Sequence, residues 1–324
     1  MNDRPVFARH ESFYPRVGWL WKAVRHSETM PEVFLKEDAT VELGVGKNMV
    51  RAIRYWGVAT RVIEEYPDPD RPRRSLARPT PLGRLLFGAE GWDPYLEDPR
   101  TLWLLHWLLT RSPSAATAWQ LLFGLWSRTD FTEQEAVAWL REQASREPAW
   151  PEIAEQSLRR DVQCLLQMYG PPRRHTRSDD LVESPFRDIG LLVLSAGDHN
   201  RWRFVYGPKP GLSPGLVAFA CLDYAAREST GTSLTISRLA LEPYSPGLMM
   251  RLSETQISKA LESVARTNRS VEVVSPVGVR QLAIHGDASR LAVEILAADY
   301  SHQPPKDGLN QLLTDESATD WEAA

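Results

Sequence analysis

The sequence predicts a mainly α-helical protein with small β wings, arranged as tandem winged helix-turn-helix modules. Between residues 13 and 65, two amphipathic stretches, a glycine turn and a stretch with a basic face follow one another, which is the order of a helix-turn-helix. A basic loop between two apolar segments comes next, where a wing would lie. The same order recurs further along the chain, and 324 residues suffice for two or three folding units.

The first module belongs to the predicted domain of residues 1–111. Its amphipathic stretches predict three helices, over Tyr14–Arg25, Phe34–Leu43 and Lys47–Thr60. Gly44-Val45-Gly46 is predicted to form the tight turn before the third helix, because glycine tolerates positive φ. Val62–Ile63 and Leu85–Phe87 are predicted to pair as strands, with Arg71-Pro72-Arg73-Arg74 between them as a basic wing.

Later segments repeat this order more weakly. Thr132 and Glu135 form a capping-box pattern that predicts a helix through Ala144, and Ile153–Tyr169 predicts another helix or a helix pair. Three further helices are predicted over Leu216–Arg227, Ile236–Leu241 and Glu254–Arg266, the last capped by Ser253. The predicted strand pairs are Gly190–Leu194 with Trp202–Val205, and Val271–Val274 with Val279–Ala283.

These patterns divide the chain into four segments. Residues 1–111 are predicted to form an N-terminal winged-helix DNA-binding domain, and residues 112–178 a helical, second winged-helix-like middle domain. Residues 179–300 are predicted to form a C-terminal winged-helix-like domain. Residues 301–324 are predicted to be an acidic, disordered tail.

Composition excludes several classes of protein. Cys164 and Cys221 are isolated, so neither a structural zinc site nor a disulfide framework is expected, and a reducing cytoplasm fits the chain. The longest apolar stretch, residues 102–109, is too short to span a bilayer, so no membrane partner is expected. Val41 and Asn48 occupy positions where a phosphate-binding loop needs Gly and Ser or Thr, so no nucleotide or organic cofactor is expected.

The formal net charge of −4 conceals an uneven distribution. The last 19 residues carry one base and five acids, so they hold the whole excess of negative charge. Residues 47–84 carry nine bases and four acids. The first module is therefore basic although the average is acidic, and the tail could compete with DNA for its basic side.

The third predicted helix of the first module carries the strongest functional signal. Lys47, Arg51, Arg54 and Arg61 fall within an arc of roughly 80° on a helical projection. Such bases contact phosphates or guanine edges, and Asn48 could bind adenine. Arg71, Arg73 and Arg74 of the wing would add phosphate contacts. The sequence favours DNA binding over the alternative, a solvated charged face on a winged helix that binds protein.

Asp93, Glu97 and Asp98, with His106 one or two helical turns along, form the most compact acidic cluster outside the tail. Paired carboxylates hold Mg²⁺ in enzymes that cleave phosphodiesters. The alternative reading is that Asp98 caps a helix over residues 100–110 and that Asp93-Pro94 is a turn. His10-Glu11 is either an acid/base pair or a polar anchor between modules.

Several segments resemble an uncharacterised bacterial domain family that occurs beside PAPS-reductase-like genes. Residues 10–22 match its opening pattern H-E-[ST]-F-x-x-R-x-G-W-L-x-K, and residues 43–56, beginning L-G-V-G-K-N-M-V-R, match its most specific block. Residues 37–39, 91–98, 184–186 and 245–247 resemble further blocks. The best-described member type is SspB of the Ssp DNA phosphorothioation system.

The resemblance implies DNA binding and strand nicking, which allow sulfur incorporation into DNA in antiphage defence. It also implies double-stranded DNA, a cysteine desulfurase, an ATPase and a PAPS-reductase-like protein as partners. If the protein nicks DNA, Mg²⁺ is the expected cofactor, because it would polarise the phosphodiester. No catalytic set is carried over, so Glu11, Asp93, Glu97 and Asp98 are candidates from composition alone, and the metal ligands are unassigned.

The leading hypothesis is thus a DNA-binding component of a phosphorothioate modification system that acts as a metal-dependent nicking endonuclease. The alternatives are a non-catalytic winged-helix transcription regulator, which would form a homodimer on paired half-sites, and a scaffold for the sulfur-transfer complex. A winged helix that docks a sulfur-transfer partner would show no steep salt dependence of DNA binding.

Overall fold

The computed structural model describes residues 4–172, 184–228 and 231–301. Its helices are α1 (Trp19–Thr29), α2 (Ala39–Leu43), α3 (Lys47–Ala59), α4 (Pro81–Phe87), α5 (Pro99–Thr110), α6 (Thr117–Gly124), α7 (Glu133–Ser145), α8 (Glu155–Tyr169), α9 (Pro214–Arg227), α10 (Ile236–Leu241), α11 (Pro246–Met250), α12 (Glu254–Ala265) and α13 (Ala288–Asp299). Its strands are β1 (Ile63–Pro67), β2 (Ser75–Pro79), β3 (Asp130–Thr132), β4 (Leu192–Ser195), β5 (Asp198–Phe204), β6 (Ser233–Thr235), β7 (Val271–Val274) and β8 (Gln281–Ile284). A mainly helical chain with small antiparallel sheets is confirmed.

The first unit contains the three predicted helices with altered boundaries. α1 begins at Trp19 rather than Tyr14, because Gly18 adopts a left-handed conformation (φ 81°) that a continuous helix cannot contain. Phe34–Leu43 was predicted as one helix, but Lys36 is extended and separates a 3₁₀ turn at Val33–Leu35 from α2. α3 follows Gly44 (φ 62°) and agrees with its prediction to one residue.

The hairpin of the first unit pairs β1 with β2, with Ile63 opposite Pro79 and Pro67 opposite Ser75. The loop between these strands is the predicted wing, but the prediction that Leu85–Phe87 is the second strand was wrong. Those residues lie in α4, which Thr80 caps by accepting a hydrogen bond from the Gly83 N–H at 2.9 Å. A short apolar run does not distinguish a buried strand from a buried helix, and the cap decides for the helix.

The two later sheets share one topology. One sheet has the strand order β3-β5-β4 and the other has the order β6-β8-β7. In each sheet the strand that comes last in the sequence lies between the other two, and all neighbouring strands are antiparallel. In each case two or three helices separate the first strand from the second. β3 and β5 pair across residue 178, so the predicted middle and C-terminal segments share a sheet. The predicted division into domains stays a prediction.

Capping signals located two later helices correctly. Thr132 and Glu135 form the predicted capping box of α7, and Ser253 forms one with Gln256 at α12. Both boxes satisfy N–H groups that have no partner inside the helix.

A largely continuous core runs from Tyr14 to Tyr300, with α5 at its centre. Every residue of α5 from Thr101 to Thr110 is buried, as expected for a helix that is apolar on all sides. Cys164 and Cys221 are also buried, and burial raises the pKa of each thiol, which agrees with the predicted core role of Cys164. Among the described residues, no helix is both long and apolar enough to cross a membrane.

Candidate nucleic-acid interface

The exposed part of α3 is its N-terminal half. Lys47, Asn48 and Arg51 are exposed, whereas from Ala52 onward only Arg54 escapes burial. In the described part of the chain no side chain caps the α3 N-terminus. Unpaired N–H groups and the helix dipole favour an anion at such an end. A phosphate there would meet backbone donors and cationic side chains together.

Contacts with α1 fix the direction of α3. The Lys22 ammonium donates to the carbonyl oxygen of Leu43 at 2.6 Å, immediately before the glycine turn. Gly57 lets the two helices approach closely, since a Cβ atom there would lie 2.8 Å from Ile63 and 3.1 Å from Ala23. The exposed end of α3 is therefore held by packing at its other end.

The loop of the β1–β2 hairpin presents the second group of cations. Arg71 and Arg73 are exposed and Arg74 is partly exposed. The Asp68 N–H donates to the Arg74 carbonyl and the Arg74 N–H donates to the Arg71 carbonyl, both at 2.8 Å. These backbone bonds give the loop a defined shape, so the guanidinium groups project from a fixed base.

Arg54 connects the hairpin to α3. Its guanidinium forms an ion pair with Glu65 on β1, and the two side chains are 19% and 8% exposed. The predicted phosphate contact of Arg54 is thus replaced in this structure by an internal contact. Arg54 positions the hairpin beside the exposed half of α3.

Arg61 lies away from the face that the helical projection assigned to it. α3 ends at Ala59, and Arg61 follows with φ 63°. Its guanidinium donates to the carbonyl oxygens of Leu108, at 3.3 Å, and Pro113. The projection assumed that the helix continued, and the turn instead directs Arg61 toward the end of α5.

The cations that remain on the surface are mostly uncompensated. Four of these cations form no ion pair with any described residue: Lys47, Arg71, Arg73 and Arg74. The fifth, Arg51, forms one long ion pair with Glu11, at 3.5 Å. We call these five residues the basic face. Glu11 is the candidate carboxylate that touches it.

The other candidate carboxylates have structural partners. Asp93 is buried and accepts the N–H groups of Glu97 at 2.8 Å and Asp98 at 3.1 Å, one on each oxygen. Asp98 caps α5 and pairs with Arg100. Burial raises the pKa of Asp98, but the hydrogen bonds from Arg100 outweigh it, so the net shift is downward. The Asp93 contacts form the turn and the Asp98 contacts form the helix cap that the structural interpretation of this acidic cluster predicts.

The four candidate carboxylates do not fit a magnesium site. In residues 4–172, 184–228 and 231–301, no three His, Cys, Asp or Glu side chains lie close enough together to hold a metal ion. Both oxygens of Asp93 already accept backbone N–H groups, and those of Asp98 bind Arg100. We therefore derive no reaction step through a metal held by Glu11, Asp93, Glu97 and Asp98.

His106 was grouped with this acidic cluster and is instead fully buried. Its Nδ1 lies 2.8 Å from the Tyr169 hydroxyl, and its Nε2 lies 2.9 Å from the Met249 carbonyl oxygen. Burial lowers the pKa of His106 from 6.5 to about 4, so the ring is neutral at pH 7.

His10 is a polar anchor, which decides between the two readings left open. Its Nδ1 accepts the Ser12 N–H at 3.1 Å, so its Nε2 carries the proton and donates to Asp161 at 2.7 Å. Asp161 on α8 was missed, although its signal was present: it is a lone acid on the buried side of an amphipathic helix, three residues from Leu158 and four from Leu165.

Comparisons with known proteins agree with this architecture. The chain matches the family described as "Protein of unknown function (DUF4007)" over residues 7–300. A solved structure described as "Magnesium ion-bound SspB crystal structure" is 38% identical with a TM-score of 0.88, and one described as "SspB crystal structure" is 38% identical with a TM-score of 0.87. Each comparison covers 95% of this chain and 92% of the other. No curated protein sequence matches significantly.

Proposed function

Since the chain belongs to the DUF4007 family and is SspB-like over nearly its whole length, we propose that it is the DNA-binding component of an Ssp-type phosphorothioate modification system. The observation that carries the DNA-binding part is the basic face. Among the described residues, it combines a helix N-terminus without a side-chain cap with five cations whose one counter-ion is the weakly bound Glu11. Helix-turn-helix proteins place the N-terminal residues of this helix in the major groove.

The recurring topology supports the tandem winged-helix part of the proposal. Each later sheet has the order first–third–second strand, with helices between the first two strands. In the first unit, the Ala77 N–H donates to the Pro31 carbonyl at 2.9 Å, so residue 31 lies beside β2 as a rudimentary first strand would. All three units then follow one plan, in which α3, α8 and α12 are the equivalent helices.

The basic face is tested by charge reversal. Lys47→Glu with Arg51→Glu should weaken the binding of a labelled duplex at least about tenfold relative to the wild type, at salt concentrations between roughly 50 and 200 mM. The reason is that two proposed phosphate contacts, and the counter-ion release that accompanies them, would be lost. The matched control, Arg146→Glu with Arg290→Glu, makes the same change in net charge at exposed arginines of α7 and α13. Fluorescence anisotropy measures both. If both double variants bound DNA equally weakly, the loss would follow from net charge alone, and the assignment of the basic face as the DNA-binding surface would be contradicted.

We extend the proposal to strand nicking and to Mg²⁺ as its cofactor. The support is the similarity to SspB, one of whose structures is described as containing magnesium. When bound, Mg²⁺ would polarise the phosphodiester and stabilise the departing oxygen. The ligands are unassigned, since the four candidate carboxylates do not fit.

The nicking proposal is tested on supercoiled plasmid with Mg²⁺ or with EDTA. Open-circle product that requires Mg²⁺ is expected from the wild type and equally from Glu97→Ala, because Glu97 contributes only its backbone to the Asp93 turn. A band shift without open-circle product in either condition would favour the non-catalytic regulator or scaffold. The proposed protein partners are a cysteine desulfurase, an ATPase and a PAPS-reductase-like protein.

A further inference from the structure

A shallow groove lies beside the start of α1, on a part of the surface that the basic face does not use. It is an open depression of about 280 Å³ that is continuous with solvent, and not an enclosed cavity. Three segments distant in sequence line it together with Phe87: they lie within residues 15–21, 94–96 and 185–186. These are segments that carry the family resemblance described above.

The lining is rich in proline and aromatic side chains, which is typical of grooves that bind extended, proline-containing peptides. The lining includes Pro15, Pro94 and Pro185 with Trp21, Tyr95 and Phe186; of these, Pro94, Trp21 and Tyr95 reach the surface and the other three form the buried floor. Such grooves use aromatic rings as ridges and their polar atoms as donors to the peptide carbonyls.

The aromatic rim of the groove is unoccupied by other parts of the described chain. Tyr95 is 72% exposed, and the neighbouring Val17 is 61% exposed. Neither the Trp21 indole N–H nor the Tyr95 hydroxyl forms a hydrogen bond with any described residue. Two donors and an apolar surface are therefore available together.

The described chain ends next to this groove. The Tyr300 ring stacks on Trp92 with 5.0 Å between centroids, and the Arg100 guanidinium lies 4.8 Å from the Tyr300 ring. Trp92 is two residues before Pro94 of the groove. The sequence then continues past Ser301 as His302-Gln303-Pro304-Pro305-Lys306, which lies outside the described residues.

We propose that the groove binds the Pro304-Pro305 pair of the same chain. Pro305 follows Ser301 after four peptide steps, a reach of about 14 Å, and the pair favours the polyproline II conformation that such grooves recognise. Lys306 follows the pair, and Glu97, exposed at the edge of the groove, offers the opposite charge. Binding there would tether the acidic residues 307–322 to the unit that carries the basic face.

The test is photo-crosslinking in the full-length chain. p-Benzoylphenylalanine replaces Tyr95, and in the control protein it replaces Val41, which is 80% exposed on α2. Mass spectrometry of the monomer is expected to find crosslinks from position 95 to residues 302–306 and none from position 41. Pro304→Asp with Pro305→Asp should lower the yield about tenfold, equivalent to ~1.4 kcal/mol of binding free energy.

Each of these outcomes would overturn the proposal: crosslinks from position 95 that join two copies of the chain, an unchanged yield in the double proline variant, or equal crosslinking from position 41. The crosslinking experiment contains no DNA, so its outcome is independent of whether the protein binds DNA as proposed. Crosslinks that appear only after a proline-rich peptide of another protein is added would assign the groove to an external partner and likewise contradict cis binding.

Discussion

The imidazole Nε2 of His10 and the carboxylate of Asp161 lie 2.7 Å apart in the buried interior, although 151 residues separate them in sequence. The same carboxylate oxygen accepts the Ala8 N–H at 2.9 Å, so the N-terminal arm is attached to α8 by two hydrogen bonds. Burial raises the pKa of Asp161, and the hydrogen bond from His10 opposes that shift. The His10 ring also stacks on Trp56 of α3, which connects this anchor to the helix of the basic face.

His10→Ala should lower the free energy of unfolding by about 3 kcal/mol, because it leaves a buried carboxylate with only one hydrogen bond. Asp161→Asn should cost less, since its amide oxygen still accepts from His10 and Ala8. Urea denaturation measures both, with Glu294→Ala on the surface of α13 as the control. A loss for His10→Ala within about 0.5 kcal/mol of that control would contradict the anchor.

Removing the wing arginines should change the salt dependence of DNA binding. Arg71→Ser with Arg73→Ser would remove the two proposed phosphate contacts, so the slope of log K against log salt should become shallower by about 2. Binding titrations at several salt concentrations give the slope. Arg146→Ser with Arg290→Ser is the matched control and should leave it unchanged. An identical slope in all three proteins would remove the hairpin loop from the interface.

The Arg54–Glu65 pair should show a larger coupling free energy than a surface pair. A double-mutant cycle with alanine at each position is expected to give about 1 kcal/mol or more, since both side chains are largely buried. The exposed Arg146–Glu142 pair of α7 serves as the reference, for which about 0.3–0.5 kcal/mol is expected. Coupling of Arg54 and Glu65 no greater than that of the reference would mean that the pair does not hold the hairpin.

Truncation after Pro305 should tighten DNA binding. It removes one base and five acids and changes the formal net charge from −4 to zero, so repulsion of the phosphate backbone falls. The gain should shrink as salt rises, because screening weakens the interaction. Anisotropy titrations of the full and shortened chains measure it, and equal affinities at low salt would count against competition by the acidic tail.

His106 should make stability depend on pH between about 4 and 6.5. Burial lowers the pKa of His106 to about 4 in the folded state, against about 6.5 for an exposed imidazole in the unfolded chain. As pH falls, His106 is therefore protonated in the unfolded chain before it is protonated in the folded protein. The free energy of unfolding is thus highest above about pH 6.5 and falls toward about pH 4. The total is about 3 kcal/mol at 1.36 kcal/mol per pKa unit.

His106→Gln should flatten that part of the pH profile relative to the wild type, while His285→Gln, at an exposed site, should not. Denaturation at a series of pH values across this range measures the difference. Parallel profiles for wild type and His106→Gln would show that the buried imidazole is not the titrating group.

Local sequence signals determined much of the fold. The α3 helix, the capping box of α7 and the Ser253 cap of α12 follow from contacts between residues three or four apart, so the sequence contains the whole interaction. The exposed cations at the start of α3 and in the hairpin loop were likewise predictable, since they depend on local periodicity. The resemblance to the SspB-type family was also carried by contiguous blocks, which the comparisons confirm.

Tertiary structure decided where the remaining polar groups lie. Arg61 donates to carbonyl oxygens 47 and 52 residues away, Arg54 pairs with a strand, and Asp161 receives a histidine from the N-terminal arm. The pairing of β3 with β5 joins residues about 70 apart. Whether a charged side chain faces solvent or satisfies a buried group depends on partners brought close only by the folded chain, because a buried polar group without a partner is costly. Local sequence patterns therefore determined α3, α7, α12 and the presence of exposed cations, and only the folded chain decided which of the predicted arginines belong to the basic face.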